Sequence, residues 1–308
     1  MKSLAGVFPV APTPFGADGA IDERAFLRLV DFALESGVDG LVYPGMASEV
    51  ETLKPEERRA LVEALGARIG GRVPFIVGAS DGDPVQAALR AEEGRRAGAV
   101  AAMIMAPNAL GRDVAKHIAF YGGVAERTSL ALMMQNAPAP MGAGLAPEEV
   151  AQIARAVASI RYVKEETLPC GQHITRIFAA AGDAVDAVFG GAGARYVVDE
   201  LARGAAGTMP AIEIADTHVA LMRAWRSGDV AEARRLYNMS LPLLAFQMVF
   251  RVRATKEVLK RRGLLEHTAA RAAGPALDEA DMRELGALLS DARGLFTVHA
   301  PRAERAAA

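Results

Sequence analysis

Two residues two positions apart, Lys164 and Glu166, could together carry out nucleophilic and acid–base chemistry. The chain has six lysines among 35 basic residues, and only Lys164 lies within a strand-like segment, directly after Tyr162 and Val163. An amine in an apolar setting can lose its proton and attack a carbonyl carbon, which arginine cannot do. Because side chains alternate along a strand, Lys164 and Glu166 are expected on one face and Glu165 on the other. A structural ion pair at the end of a strand would show the same spacing.

The sequence around this pair predicts short apolar strands that alternate with amphipathic helices. Eight strand–helix units are predicted, the first strand covering residues 6–15 and the eighth covering 205–210. The strands are apolar on both faces, as is typical of parallel strands covered by helices. A closed (β/α)8 TIM barrel is therefore predicted for residues 1–211, since the glycine fingerprint of a dinucleotide-binding sheet is missing after the first strand. A C-terminal helical extension packed on the barrel (212–295) and a disordered tail (296–308) are predicted to follow.

The composition favours an enzyme that acts on small molecules. A formal net charge of -2 and a single cysteine in 308 residues predict neither nucleic-acid binding nor a disulfide framework. The sequence shows no long apolar run and no convincing signal peptide, so we expect no membrane partner and a cytoplasmic location. The five histidines lack ligand spacing, so we predict no metal site.

Polar residues and glycines follow several of the other predicted strands. In a (β/α)8 barrel, the carboxyl ends of the strands meet at one face and form the active site there. We therefore expect Lys164 and Glu166 to be the catalytic residues. The residues expected to bind the substrate are Ser48, Gln135, Asn136, Gly190, Gly207 and Thr208.

These motifs resemble the dihydrodipicolinate synthase / N-acetylneuraminate lyase family of Schiff-base lyases over roughly residues 5–295. The resemblance rests on Thr-Pro-Phe at 13–15, the turn at 45–49, Asn-Ala-Pro at 136–138 and the lysine of the sixth strand. It implies a barrel with a helical extension, a small 2-oxo acid as substrate and a homotetramer. It also implies a covalent imine on Lys164, with no separate cofactor.

The chain departs from the family pattern at residues that bear on the reaction. Met46 and Ala47 occupy the two positions at which the family has carboxylate-binding hydroxyls, and Ser48 is the candidate for a substitute hydroxyl. Gln135 occupies the position of the tyrosine that transfers protons in the aldolases. Lys-Glu-Glu at 164–166 together with this glutamine resembles the family branch that dehydrates L-2-keto-3-deoxyarabonate to 2-oxoglutarate semialdehyde.

In that reaction Lys164 would form the imine, and Glu166 would remove a C3 proton and then protonate the departing C4 hydroxyl. A pyruvate-dependent aldolase or synthase is the alternative enzyme. A catalytically inactive protein that binds a 2-oxo acid is the alternative from another class, because the chain lacks the family's tyrosines and hydroxyls.

Overall fold

Eight short parallel strands form the centre of the structure, a computed structural model that describes residues 4–298. Each strand pairs with the next from β2 through β8, β8 pairs with β1, and parallel bridges from Val10 to Val42 and Ala211 close the barrel. The strand predicted at 6–15 is much shorter, because its prolines cannot donate ladder hydrogen bonds. The strands are β1 (Gly6–Val7), β2 (Leu41–Tyr43), β3 (Phe75–Gly78), β4 (Ala101–Met105), β5 (Ala131–Asn136), β6 (Ile160–Glu165), β7 (Ala187–Gly190) and β8 (Gly207–Thr208).

Eight helices surround the barrel, and their starts are set by local sequence. Asp22, Asp83 and Asp113 each accept a hydrogen bond from a first-turn amide, which stabilises a helix start. The helices are α1 (Glu23–Ser36), α2 (Pro55–Ile69), α3 (Pro84–Arg96), α4 (Val114–Ala125), α5 (Pro147–Ala156), α6 (Cys170–Ala181), α7 (Val197–Ala202) and α8 (Ala215–Arg226).

The predicted boundary between the barrel and the extension, at residue 211, precedes a helix that packs on the barrel. Helix α8 contacts both β1 and α1, so it completes the ring of helices rather than beginning the extension. The reason is topological, since the eighth strand of such a barrel needs its own helix to cover it. The extension comprises α9 (Val230–Phe250), α10 (Val252–Arg261) and α11 (Glu279–Asp291).

Apolar side chains form one cluster inside the barrel and a second between the strands and the helices. Phe8, Met133 and Tyr162 belong to the interior cluster, whereas Val163 belongs to the outer one. This alternation follows from strand geometry. It directs Lys164 into the barrel, because Lys164 lies two positions after Tyr162.

The segment that follows α11 is held on the barrel. Asp216 Oδ2 accepts the main-chain amides of Thr297 at 2.8 Å and Val298 at 3.1 Å, and Arg262 pairs with the same carboxylate. Thr297 and Val298, which lie within the predicted disordered tail, therefore have their main chain bonded to a buried carboxylate. The remainder of the predicted tail, 299–308, lies outside the described residues. Between residues 4 and 298, no helix is long and apolar enough to cross a membrane.

Candidate active site

Lys164 and Glu166 lie side by side at the carboxyl end of β6, inside the barrel. The Nζ atom of Lys164 is 3.2 Å from Oε1 of Glu166, and both side chains are largely buried. The prediction that the two residues share one face is confirmed. Lys164 pairs in register with Gln135 on β5 and with Phe189 on β7, so the neighbouring strands fix its position from both sides.

Three donors hold the carboxylate of Glu166. Lys164 Nζ and the main-chain amide of Ala192 approach Oε1, the amide at 3.1 Å, and Gln135 Nε2 donates to Oε2 at 2.6 Å. Burial by itself raises the pKa of Glu166. The charge of Lys164 and the hydrogen bonds from Gln135 and Ala192 outweigh burial, so the pKa lies below its ordinary value. Glu166 is therefore a carboxylate at neutral pH and can accept a proton.

Backbone strain is concentrated around this site. Four residues other than glycine have a positive φ in the described chain, namely Glu49, Ala192, Ala194 and Arg251. Three of them, Glu49, Ala192 and Arg251, line the same cavity as Lys164. A left-handed conformation costs such a residue about 1–3 kcal/mol, and strain of this kind gathers at functional sites. At Ala192 the conformation accompanies an amide that donates to Glu166.

A cavity of about 990 Å³ opens above the pair and could hold a small sugar acid with room to spare. One wall is the turn Gly45–Ala47 after β2, and another is formed by Ala192 and Gly193 after β7. The extension also contributes to the wall, which no motif in the sequence indicated. These lining residues are Gln247, Met248, Arg251, Val252, Ala272 and Ala273.

The cavity wall carries positive charge that the protein does not neutralise. Arg112 and Arg176 line the cavity, but each pairs with a glutamate of α5. Arg195 and Arg251 also line it, and neither has a carboxylate within 4.0 Å among residues 4–298. The resulting field favours a negatively charged ligand such as a 2-oxo acid.

Ser48 forms hydrogen bonds within the protein. Its hydroxyl donates to the carbonyl of Ala11 at 2.5 Å and accepts the amide of Gly45 at 2.9 Å, and the side chain is fully buried. These bonds tie the turn to the segment after β1, and Ser48 does not line the cavity, so its contact with the substrate stays a prediction. Gln135, by contrast, lies beside the reactive pair and donates to Glu166, although it does not itself line the cavity.

Asn136 also has a structural position, on the outer side of β5. Its Nδ2 donates to the carbonyl of Leu145 and to Oε2 of Glu165, and its Oδ1 accepts the amide of Leu145. These bonds hold Asn136 between Leu145 and Glu165, and Asn136 does not line the cavity, so its contact with the substrate stays a prediction. Glu165 points away from Lys164, as strand alternation predicted, and also accepts the amide of Thr167.

Gly190, Gly207 and Thr208, which were also predicted to bind the substrate, are not among the residues that line the cavity. A Cβ on Gly190 would lie 1.9 Å from Oε2 of Glu200, and one on Gly207 would lie 1.9 Å from the carbonyl of Gly6. Both glycines therefore permit close packing on neighbours. Thr208 is buried, and its hydroxyl has no hydrogen-bond partner in the described chain.

Glu200 is a buried acid that the sequence analysis did not identify. It lies against Gly190 on the outer side of β7, and its carboxyl oxygens have no hydrogen-bond partner among the described residues. Burial, reinforced by the charge of Glu166, raises the pKa of Glu200 to about 8. Glu200 is therefore largely protonated at neutral pH. In the sequence, only the position of a glutamate within a short apolar helix could have indicated this buried acid.

Comparisons with known proteins agree with this architecture. The model of the dihydrodipicolinate synthetase family matches residues 3–292. The chain is 31% identical over 242 residues to the L-2-keto-3-deoxyarabonate dehydratase of Azospirillum brasilense, covering 78% of each protein. It is 29% identical over 240 residues to the 4-hydroxy-tetrahydrodipicolinate synthase of Maridesulfovibrio salexigens, covering 77% of this chain and 81% of that one.

A solved structure is similar over almost the whole chain. The crystal structure of dihydrodipicolinate synthase from Rhodopseudomonas palustris matches with a TM-score of 0.85 and 29% identity, covering 93% of this chain and 97% of that one. Since the family model covers nearly every described residue, the chain belongs to the dihydrodipicolinate synthetase family.

Proposed function

We propose that the protein is a Schiff-base lyase that removes water from a 2-keto-3-deoxy sugar acid, with L-2-keto-3-deoxyarabonate as the first candidate. One observation carries the proposal. An ionised Glu166 lies 3.2 Å from Lys164 and is held by Gln135, which occupies the place of a proton-transferring tyrosine.

The reaction begins at Lys164. Its Nζ passes a proton to the adjacent Glu166 and attacks the C2 carbonyl. Glu166 returns that proton to the carbinolamine hydroxyl, which leaves as water and gives a protonated imine. The protonated imine withdraws electrons from C3, which makes the C3 protons acidic. Arg195 and Arg251 add positive charge to the cavity and favour binding of the substrate's carboxylate.

Glu166 then carries the two proton transfers of dehydration. Its carboxylate removes a C3 proton to give an enamine, and the resulting carboxylic acid protonates the C4 hydroxyl as the C4–O bond breaks and water leaves. Loss of this water leaves a double bond between C3 and C4. The double bond then migrates to C4 and C5 as a proton moves from C5 to C3. The enol at C5 becomes an aldehyde, and water hydrolyses the imine to release 2-oxoglutarate semialdehyde.

The residues around Lys164 favour dehydration over carbon–carbon cleavage. A glutamine cannot serve as a general acid or base, so Gln135 can orient Glu166 but cannot replace a tyrosine. Tyr196 lines the outer cavity, yet no hydrogen bond joins it to Lys164 or Glu166 in the described chain. Dehydration needs only the proton carrier that is present, since both transfers occur on adjacent carbons.

The names of the relatives are divided between the two chemistries. One relative is named as L-2-keto-3-deoxyarabonate dehydratase and another as 4-hydroxy-tetrahydrodipicolinate synthase, at similar identity. Overall identity therefore does not separate the reactions. The glutamine beside the lysine and the absence of hydroxyl side chains at Met46 and Ala47 support the dehydratase.

Borohydride trapping combined with product analysis tests the proposal. The enzyme is incubated with L-2-keto-3-deoxyarabonate or pyruvate and reduced, and the modified peptide is located by mass spectrometry. A parallel sample without borohydride is assayed for the semialdehyde and for pyruvate. Lys164→Met and Lys116→Met, the latter altering an exposed lysine of α4, serve as the test and control variants.

We expect an adduct on Lys164 and release of the semialdehyde, with both lost in Lys164→Met and retained in Lys116→Met. Release of pyruvate and an aldehyde would assign the protein to the aldolases instead. An enzyme that forms no adduct with either ligand would refute the Schiff-base mechanism and favour a binding protein.

A further inference from the structure

We propose that Lys256, in the C-terminal extension, is a positioning residue for the carboxylate end of the substrate and acts through Glu49. The inference rests on the proposed function, because it concerns how a 2-oxo acid is held while Lys164 reacts with its C2 carbonyl. It gives the extension an indirect part in binding the substrate, through a residue of the barrel.

Lys256 and Glu49 form a fully enclosed ion pair. Their Nζ and Oε1 atoms are 2.6 Å apart, and the side chains are 0% and 1% exposed. Lys256 Nζ also donates to the carbonyl of Ala269 at 2.6 Å and lies 4.4 Å from the centre of the Phe15 ring. A buried ammonium with these partners has one fixed position, so it can hold Glu49 in place.

Glu49 connects two walls of the cavity. It follows the turn Gly45–Ser48, has a left-handed conformation with φ 57°, and itself lines the cavity. Its second carboxylate oxygen accepts the amide of Ala272 at 2.6 Å, and Ala272 forms part of the opposite wall. One ion pair therefore fixes the turn after β2 relative to the extension.

The turn has no free side-chain hydroxyl, so it can offer hydrogen bonds to a ligand only from its main chain. Met46 and Ala47 carry no polar side-chain group that donates hydrogen bonds, and the hydroxyl of Ser48 is already bonded to Ala11 and Gly45. The main-chain amides of Met46 and Ala47 donate to no acceptor in the described chain, and both residues line the cavity. A rotating side chain can follow a displaced ligand, whereas a main-chain amide moves only with its turn.

The extension keeps a second attachment that does not involve Lys256. Arg271 pairs with Glu57 at 2.8 Å and donates to the carbonyl of Gly19. This contact holds the segment 269–273 on the barrel when the Lys256–Glu49 pair is removed. We therefore expect Lys256 variants to fold with a displaced turn.

Pyruvate and methyl pyruvate form a matched pair of probes, because they share the ketone and differ in the negative charge of the carboxylate. The rate of borohydride-trapped adduct formation on Lys164 is measured with each ligand in the wild type, in Lys256→Met and in Lys260→Met. Lys260 is an exposed lysine on the same helix and provides the control. Glu49→Gln is the second test variant, since it keeps the shape of the side chain and removes its charge.

We expect the wild type and Lys260→Met to trap pyruvate in preference to methyl pyruvate. Lys256→Met and Glu49→Gln should need about 10–100-fold more pyruvate to reach the same rate of trapping, as for a binding group displaced by about 1 Å. Trapping of methyl pyruvate should change less than about threefold in both variants, since the loss concerns only the carboxylate. The double variant should need no more pyruvate than either single variant, because the two residues act through one ion pair.

The outcomes separate the two proposals. An equal loss with both probes, or an unchanged preference for pyruvate, would overturn the positioning role while leaving the imine chemistry intact. If Lys256→Met loses its thermal transition, the comparison rests on Glu49→Gln. A wild-type enzyme that traps neither probe would overturn the imine chemistry and the positioning role with it.

Discussion

Replacing Glu166 with glutamine keeps the size of the side chain and removes its charge and its ability to carry a proton. The new amide oxygen can take the place of Oε1 and accept from Lys164 and from the amide of Ala192. The new NH2 group then faces Gln135, whose own amide can turn to accept it. The substitution therefore leaves the packing of the site in place and tests proton transfer alone.

The expected loss follows from the two proton transfers assigned to this residue. A positioned general acid or base contributes about 10²–10⁴-fold to a rate, which corresponds to about 2.7–5.5 kcal/mol of activation free energy. Because Glu166 serves as base at C3 and then as acid at C4, we expect kcat for dehydration to fall toward the upper end of that range. Imine formation on Lys164 should be retained in part.

Two measurements on one preparation check this prediction. Release of the semialdehyde gives kcat, and borohydride trapping with pyruvate reports whether the amine still reacts. Glu126→Gln is the matched control, since Glu126 is an exposed carboxylate that pairs with Arg127 and does not line the cavity. A Glu166→Gln enzyme that dehydrates within about tenfold of the wild-type rate would refute the assignment of Glu166 as the proton carrier.

Other predictions concern stability. The pKa of Glu200 is about 8 in the folded chain and near 4.5 when unfolded, so its contribution to stability is lost as pH rises through that window, at about 1.4 kcal/mol per pKa unit. Glu200→Gln should therefore gain stability relative to the wild type between pH 5 and pH 8.5 in thermal melts, and parallel curves would contradict this. Gly190→Ala should lower the free energy of unfolding by about 1–3 kcal/mol, because the new methyl group would overlap Glu200. Gly122→Ala, in open space on α4, should raise it by up to about 1 kcal/mol, and urea titrations measure both changes. Asp216→Asn should cost about 3–5 kcal/mol because it leaves Arg262 buried without its partner, and an unchanged urea midpoint would contradict the importance of that pair.

Part of the site could be predicted because it depends on local periodicity. The shared face of Lys164 and Glu166 follows from the two-residue repeat of a strand, and so does the outward direction of Glu165. The sequence could not indicate which partners polar side chains would choose. Ser48 and Asn136 follow strands as substrate-binding residues do, yet they form hydrogen bonds with main-chain groups of Ala11, after β1, and of the loop at Leu145.

The sequence by itself determined the number and order of the strands, the barrel and the two reactive side chains, because hydrophobic periodicity and strand alternation are encoded over a few residues. Only the tertiary structure decided which groups surround that pair. The register of β5 on β6 places Gln135 beside Lys164, and a left-handed turn directs the amide of Ala192 at Glu166. The contact between Glu49 and Lys256 spans 207 residues. Such a contact depends on how distant elements pack, and no local pattern specifies it.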